Sequence, residues 1–284
     1  MTAPASRRRF FAEEIEAVAH LRTRALCEAL ATVRREAFLP PGPWLVRGEG
    51  DTGGARITPD ADPRHVYHNC SIAIDIGRQL FNGAPSVVAA LIDALALEPG
   101  DDVLHIGAGL GYYSAVMAET VGRSGHVMAV EVDETLARQA EENLAPMSWV
   151  EVVHGNGAAP LARAFDAILV NAGVTHPLDV WLDALAPGGR LVLPLTAPLP
   201  AIGATIGKGL TILITRSPEG LEARALGFVA IYSAENIRDE HLSQRVGQAL
   251  MRNPFPLLKR LRRDPHEPEP SCWMHGPTTC FALE

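Results

Sequence analysis

Between residues 103 and 195 the chain alternates short apolar runs with stretches of helical periodicity, and this pattern leaves few architectures open. Residues 103–108, 126–132, 150–154, 165–171 and 190–195 are apolar runs of strand length. Residues 111–121, 134–145 and 177–186 space their apolar side chains as helices do. Strands separated by helices need crossover connections, and crossovers build a parallel sheet buried on both faces. The expected fold class is therefore α/β, with a Rossmann-like, doubly wound, mostly parallel sheet. After Gly203 the pattern changes. Residues 211–216 and 221–232 alternate around Ser217-Pro218-Glu219-Gly220, which predicts an antiparallel hairpin on the sheet edge. Upstream, 13–33 reads as one amphipathic helix with Ile15, Ala19, Leu26, Ala29, Leu30 and Val33 on one face. Gly, Pro and Asp dominate 40–63, an irregular segment. A further helix starts near Pro85, with Val88, Leu91, Ile92 and Leu95 sharing a face. Downstream lie a helix over 240–251, a polar linker over 263–270 and a short tail over 271–284. Three parts are expected: a helical and loop extension over 1–70, the α/β domain over 71–235, and a helix with tail over 236–284.

The composition narrows the function classes. Of 284 residues, 47% are hydrophobic and 20% charged, enough apolar material for a sizeable core and too much for wholesale disorder. The formal net charge of -8 speaks against a general nucleic-acid binder, which needs a basic surface. The basic cluster Lys259-Arg260-Leu261-Arg262-Arg263 reads as a solvated helix end. Cys27, Cys70, Cys272 and Cys280 are scattered without a CxxC pair, so reduced thiols are expected and no metal site. Arg7-Arg8-Arg9 leads into acidic helical sequence, unlike a secretory signal. No run of about 18 apolar residues is present to span a membrane. The expectation is a cytoplasmic protein without nucleic-acid or membrane partners.

Gly107-Ala108-Gly109-Leu110-Gly111 follows the first run of the alternation and opens the next helix. Glycine there permits a tight turn and close approach of a ligand, and the helix start offers free N–H groups. Glu131 closes the second run 20 residues after Gly111, where a carboxylate can accept from both ribose hydroxyls. A dinucleotide site would need glycine at the sixth position of its fingerprint, and that position holds Tyr112. The loop reads G-x-G-x-G. S-adenosylmethionine carries no phosphate and makes no such demand, so it is the favoured cofactor over a nicotinamide dinucleotide.

The run Val103-Leu104-His105-Ile106-Gly107-Ala108-Gly109-Leu110-Gly111-Tyr112-Tyr113 resembles the first motif of the protein-L-isoaspartate (D-aspartate) O-methyltransferase family. His154-Gly155-Asn156-Gly157 is similar to that family's Gly-Asp-Gly, Phe165-Asp166-Ala167-Ile168 to the start of its fourth strand, and Pro187-Gly188-Gly189-Arg190-Leu191-Val192-Leu193-Pro194 to its Gly-Gly-Arg-Leu-x-x-Pro strand. The matches are collinear over about 75–235. The resemblance implies a class I methyltransferase with S-adenosylmethionine as cofactor. It implies Gly107, Gly109 and Gly111 around the methionine part, Glu131 on the ribose, and Asn156 with Gly157 at the adenine. Ala108, Tyr112, Val132 and Asn171 are expected in the same cofactor site. His105 stands where the family usually has an acidic residue, and reads as a satisfied histidine at a strand end. Asn156 replaces aspartate, but its amide oxygen can still accept from the adenine amino group.

The family's Thr-Ile-Ser loop precedes a proline-started helix and lines the reacting carboxylate. Aligned on Pro85, this chain has Phe81-Asn82-Gly83-Ala84, with Gly83 in the place of the serine. Asn82 can donate through its amide, and Gly83 leaves its backbone N–H accessible before a helix start. The plainer reading is an Asn-Gly turn. Asn82 and Gly83 are the expected substrate-loop residues. A carboxylate is ionised at neutral pH and needs no base, so the lack of an evident acid–base dyad is consistent with carboxyl methylation. The expected substrate is a peptide, a protein or a small carboxylic acid. Two alternatives stand beside this: methylation of a hydroxyl with His176 as base, and a non-catalytic binding protein. The tail is expected either to add a strand or to cover the substrate entrance.

Overall fold

The computed structural model describes residues 3–49, 54–198, 205–252 and 255–284. The chain divides into two units, Met1–Asp101 with Ala108–Gly155, and Asp102–Gly107 with Asn156–Glu284. In chain order the first part runs α1 (Ala3–Ala19), α2 (Arg24–Thr32), β1 (Leu45–Gly48), β2 (Arg56–Ile57), β3 (Cys70–Asp75), β4 (Leu80–Phe81) and α3 (Pro85–Ala94). Next come β5 (Asp102–Ile106), which belongs to the second unit, then α4 (Tyr112–Val121), β6 (His126–Glu131), α5 (Glu134–Leu144) and β7 (Val150–His154).

In the first unit the helix expected over 13–33 is two helices. His20 adopts a φ of 53°. The buried Asp93 carboxylate of α3 accepts from the backbone N–H groups of Arg22 at 3.0 Å and Thr23 at 2.8 Å. Those donors sit at the start of α2, so a carboxylate distant in sequence breaks the helix by satisfying its free end. The segment expected to be irregular contains β1 and β2, which join a small antiparallel sheet in the order β2-β1-β3-β4. Val46 pairs with Ile72 there. Arg35, fully buried, donates to the carbonyls of Val66 at 2.7 Å, His68 at 3.1 Å and Cys70 at 2.7 Å, and so fixes the entry to β3. Asp133 caps α5 by accepting from Leu136 N–H at 3.0 Å. Leu136, Ala140 and Leu144 repeat along the buried stripe of that helix. β6 and β7 pair in parallel from Val127↔Val150 to Glu131↔His154.

The second unit adds β8 (Phe165–Val170), α6 (Asp179–Asp183), β9 (Leu185–Pro198), β10 (Ile206–Ser217), β11 (Gly220–Tyr232), α7 (Glu240–Met251), β12 (Arg260–Arg262), β13 (Cys272–His275) and β14 (Cys280–Ala282). Its strands follow one another in the order β13-β14-β12-β11-β10-β9-β8-β5. β5, β8 and β9 are parallel. Val103 to Ile106 are all buried, as a central parallel strand requires. β9 starts earlier and α6 is shorter than expected because Phe165 N–H donates to Ala184 O at 2.7 Å and Phe165 pairs with Leu185. The expected hairpin is β10–β11. The sheet continues past it, since β12 pairs with β11 at Leu221↔Leu261 and the tail supplies β14 and β13. This corrects the reading of 259–263: the cluster is a strand with Leu261 buried, and the solvated helix end does not exist. Among the described residues no helix is long and apolar enough to cross a membrane.

Candidate active site

Each unit carries part of the residues singled out in the sequence. In the first, the glycine turn closes on itself: Gly111 N–H donates to Ala108 O at 3.0 Å, and Ala108 N–H donates to Val130 O of β6 at 3.2 Å. Gly109 and Gly111 have φ of 57° and 90°, and Gly107, the residue before Ala108, has 82°. This left-handed backbone is one that other residues adopt only at a cost, which explains the G-x-G-x-G spacing. A Cβ on Gly111 would also meet Leu144 of α5 at 2.7 Å.

Glu131 ends β6 and is buried. Its Oε2 accepts from Gly109 N–H at 2.7 Å and its Oε1 from Asp133 N–H at 3.1 Å. Each carboxylate oxygen has a further lone pair. The group that could receive two ribose hydroxyls is thus also the one that holds the glycine turn in shape. Val132, half-buried, gives its carbonyl to His154 Nε2 at 3.2 Å. Tyr112, expected with the cofactor residues, turns its ring elsewhere. The ring is buried against Tyr113 and Phe38, at centroid distances of 4.9 and 5.9 Å. Burial raises its hydroxyl pKa to about 12. Only its backbone N–H, at the first position of α4, stays with the turn.

The loop before α3 lies in the same unit. Asn82 N–H donates to Ile72 O at 2.9 Å, and Asn82 Oδ1 accepts from Ile72 N–H at 2.9 Å, so the residue caps the β3–β4 hairpin from both sides. Its Nδ2 is buried and has no hydrogen-bond partner among the described residues. Gly83 has a φ of 81°, and a Cβ there would meet Val88 Cγ2 at 2.9 Å, so the turn itself demands glycine. Its carbonyl accepts from the Tyr113 hydroxyl at 3.4 Å. Ile74 of β3 lies 3.4 Å from where a Gly109 side chain would start, which sets the hairpin beside the glycine turn. Arg78 ties that hairpin to α5 through Asp133 at 2.6 Å.

In the second unit, Asn171 N–H donates to Ile106 O at 2.8 Å, and the Asn171 carbonyl stands 3.3 Å from where a Gly107 side chain would start. Gly157 O accepts from the Trp181 indole at 2.7 Å, and Trp181 is wholly buried. Asn156 is exposed, and its Oδ1 accepts from Ala158 N–H at 2.9 Å. Part of the acceptor capacity expected for an adenine amino group is therefore spent on a local turn. His176 places Nδ1 2.9 Å from the Thr175 hydroxyl, which itself accepts from Asp239 N–H at 3.1 Å. Burial lowers the His176 pKa, and Asp239 and Asp179 oppose that shift. Arg238 donates to Gly173 O at 2.6 Å and Thr196 O at 2.8 Å, holding the segment before His176 against β9.

Sequence reasoning missed Arg35, Arg78 and Trp181. The arginines sit among other charges, and only partners remote in sequence single them out. Trp181 carried a signal, a large aromatic inside a short helical stretch. The reading of the cysteines as scattered is also corrected. All four are free thiols, but Cys272 and Cys280 come together with His266 and His275.

The statistical model of the protein-L-isoaspartate (D-aspartate) O-methyltransferase family matches residues 57–200 of this chain. A protein-L-isoaspartate O-methyltransferase of Methylorubrum populi is 35% identical over 213 residues, which cover 74% of this chain and 86% of that one. One of Ignicoccus hospitalis is 30% identical over 212 residues, covering 73% and 87%. Among solved structures, a Plasmodium falciparum protein assigned as a protein-L-isoaspartate O-methyltransferase, in complex with S-adenosyl-L-homocysteine, superposes with a TM-score of 0.61 at 18% identity, covering 80% of this chain and 98% of that one. A second structure, of a protein-L-isoaspartate O-methyltransferase, superposes with a TM-score of 0.62 at 22% identity, covering 89% and 72%. At these identities the superpositions speak for the fold.

Proposed function

The chain belongs to the protein-L-isoaspartate (D-aspartate) O-methyltransferase family and is an S-adenosylmethionine-dependent carboxyl methyltransferase; from that premise we propose that its acceptor is an aspartyl-type carboxylate, isoaspartyl or aspartyl, in a peptide or protein, held at Asn82 and Gly83. The observation that carries this reading is the Asn82 Nδ2 group, buried with no hydrogen-bond partner among the described residues. A buried donor without a partner costs about 1–3 kcal/mol, and a bound carboxylate removes that cost. The family's serine is absent at Gly83, which leaves the Asn82 amide as the side-chain donor of this loop.

The residues also fit the cofactor. Gly107, Ala108, Gly109 and Gly111, with the backbone N–H of Tyr112, are proposed around its methionine part, Glu131 and Val132 at the ribose, and Asn156, Gly157 and Asn171 at the adenine. The glycine turn is held by its left-handed backbone, and Glu131 keeps acceptor capacity for two hydroxyls. When bound, S-adenosylmethionine supplies a methyl group on a sulfonium sulfur. Asn82 fixes one carboxylate oxygen and leaves the other to meet the methyl group, and positioning of this kind supplies most of the catalysis in a simple displacement. A carboxylate is ionised well below neutral pH, so no side chain has to take its proton. Segment 71–235 is proposed to carry the transfer, with 1–70 and 236–284 as additions to it.

The test is transfer of labelled methyl to matched peptides containing isoaspartate, aspartate or asparagine. Label should enter the two acidic peptides and leave as methanol in mild alkali, as esters do. His176→Ala should keep most of this activity, because a carboxylate gains nothing from a base. Alkali-stable label, together with loss of activity in His176→Ala, would instead establish methylation of a hydroxyl.

A further inference from the structure

The tail returns to the sheet through β13 and β14, and the return brings four ligand-type side chains to one point. His266, Cys272, His275 and Cys280 each contribute a ligand atom, all within 4.8 Å of one another. The register shows how. His275 and Cys280 pair directly across β13 and β14, and Gly276 N–H donates to Thr279 O at 2.8 Å in the turn between them. Cys272 and His275 are three apart, which on a regular strand would send them to opposite faces. The register shifts between Cys272 and Met274, and this bulge returns Cys272 to the face of His275. His266 reaches the cluster from the linker after β12.

The details are those of metal ligands. Cys272 Sγ lies 3.5 Å from His266 Nε2. A tetrahedral zinc ion with its usual bonds to sulfur and nitrogen would hold these atoms about 3.6 Å apart. Glu269 N–H points to Cys272 Sγ at 3.5 Å, a donor suited to a thiolate. His266 uses Nδ1 on the carbonyl of Asp264 at 2.8 Å, which leaves Nε2 for the cluster. Metal-bound histidines are normally oriented by such a bond. His275 Nδ1 is buried with no hydrogen-bond partner among the described residues, and both cysteines are buried. The two imidazole rings meet edge to face at 4.8 Å.

We propose that His266, Cys272, His275 and Cys280 form a structural zinc site that fastens the β13–β14 hairpin to the linker after β12. Two sulfur and two nitrogen ligands in this arrangement suit zinc, and four protein ligands close the coordination shell, the mark of a structural ion. Two thiolates balance the charge of the ion, so the filled site is neutral and suited to burial. Binding moves two thiol protons to solvent and changes no oxidation state.

The full chain, purified with reductant and without chelator, should carry one zinc per molecule by elemental analysis and release it to a mercurial that caps thiols. The zinc-free chain titrated with cobalt should develop the thiolate charge-transfer and tetrahedral ligand-field bands of a two-sulfur, two-nitrogen site. Cys280→Ser should bind cobalt more than about 100-fold more weakly, whereas Cys27→Ser, a thiol elsewhere, should bind it normally. The proposal is overturned if the folded wild-type chain stays metal-free after dialysis against zinc, if cobalt binds without thiolate bands, or if Cys272 and Cys280 are recovered joined as a disulfide. These readouts do not involve methyl transfer, so failure here leaves the acceptor assignment standing, and the reverse.

Discussion

The proposed acceptor site gives Asn82 a second role that a single substitution can separate from its structural one. Its Oδ1 holds the β3–β4 hairpin through Ile72, while its Nδ2 has no partner among the described residues. Asn82→Asp keeps the acceptor and the shape, removes the donor and sets a negative charge against the substrate. It should lower kcat/KM by about 10- to 100-fold or more, the worth of a hydrogen bond to a charged group, with cofactor affinity and Tm nearly unchanged. Equal losses of cofactor binding and turnover would make Asn82 a purely structural cap. Glu131→Ala tests the proposed cofactor site. It should weaken S-adenosylmethionine binding roughly 10- to 100-fold by calorimetry. The variant also frees Gly109 N–H and Asp133 N–H, so part of that loss will come from a loosened turn. The place of Glu131 was legible because strand length and motif spacing are local quantities. The inward turn of the Tyr112 ring was not, since it depends on Phe38 and Arg35, which the sequence does not mark as its neighbours.

Elements were legible where a local rule decides them. The parallel strands read as continuous apolar runs, and α5 carries its own aspartate cap. They were obscure where a distant group decides. The break between α1 and α2 depends on Asp93, and β12 is a strand because Leu221 and Phe281 flank Leu261. His105 shows what a central strand does to a polar residue. It is fully buried on β5, and burial lowers its pKa to about 3. In the unfolded chain the same ring titrates near its ordinary value of about 6.5. The folded pKa is the lower one, so the unfolded state holds the extra proton between the two values. Stability is therefore full above about pH 6.5 and falls as the pH drops towards about 3. Urea unfolding at pH 7.5 and pH 5 should show a loss that His105→Asn reduces. An unchanged slope in the variant would assign the loss to other groups.

For the molecule as a whole, the tail is part of the second unit's core. Trp273, Met274 and Phe281 are buried, and the Trp273 indole donates to Ala249 O of α7 at 3.1 Å. Burying side chains of this size contributes about 1.5–3 kcal/mol each, against a net stability of about 5–15 kcal/mol for a whole domain. A chain ending at Pro270 should lose most of its stability and aggregate, visible as a large fall in Tm or as insoluble product. A truncated chain that melts normally would make the tail an accessory cover. The strand order β13-β14-β12 has a consequence for refolding. β12 can pair with β11 unaided, but among the described residues β13 reaches the sheet through β14 alone. Until β14 docks, the outer edge of β12 is open to neighbouring chains. Soluble yield on refolding should therefore fall as the protein concentration rises, and an equal yield at low and high concentration would show that edge to be covered.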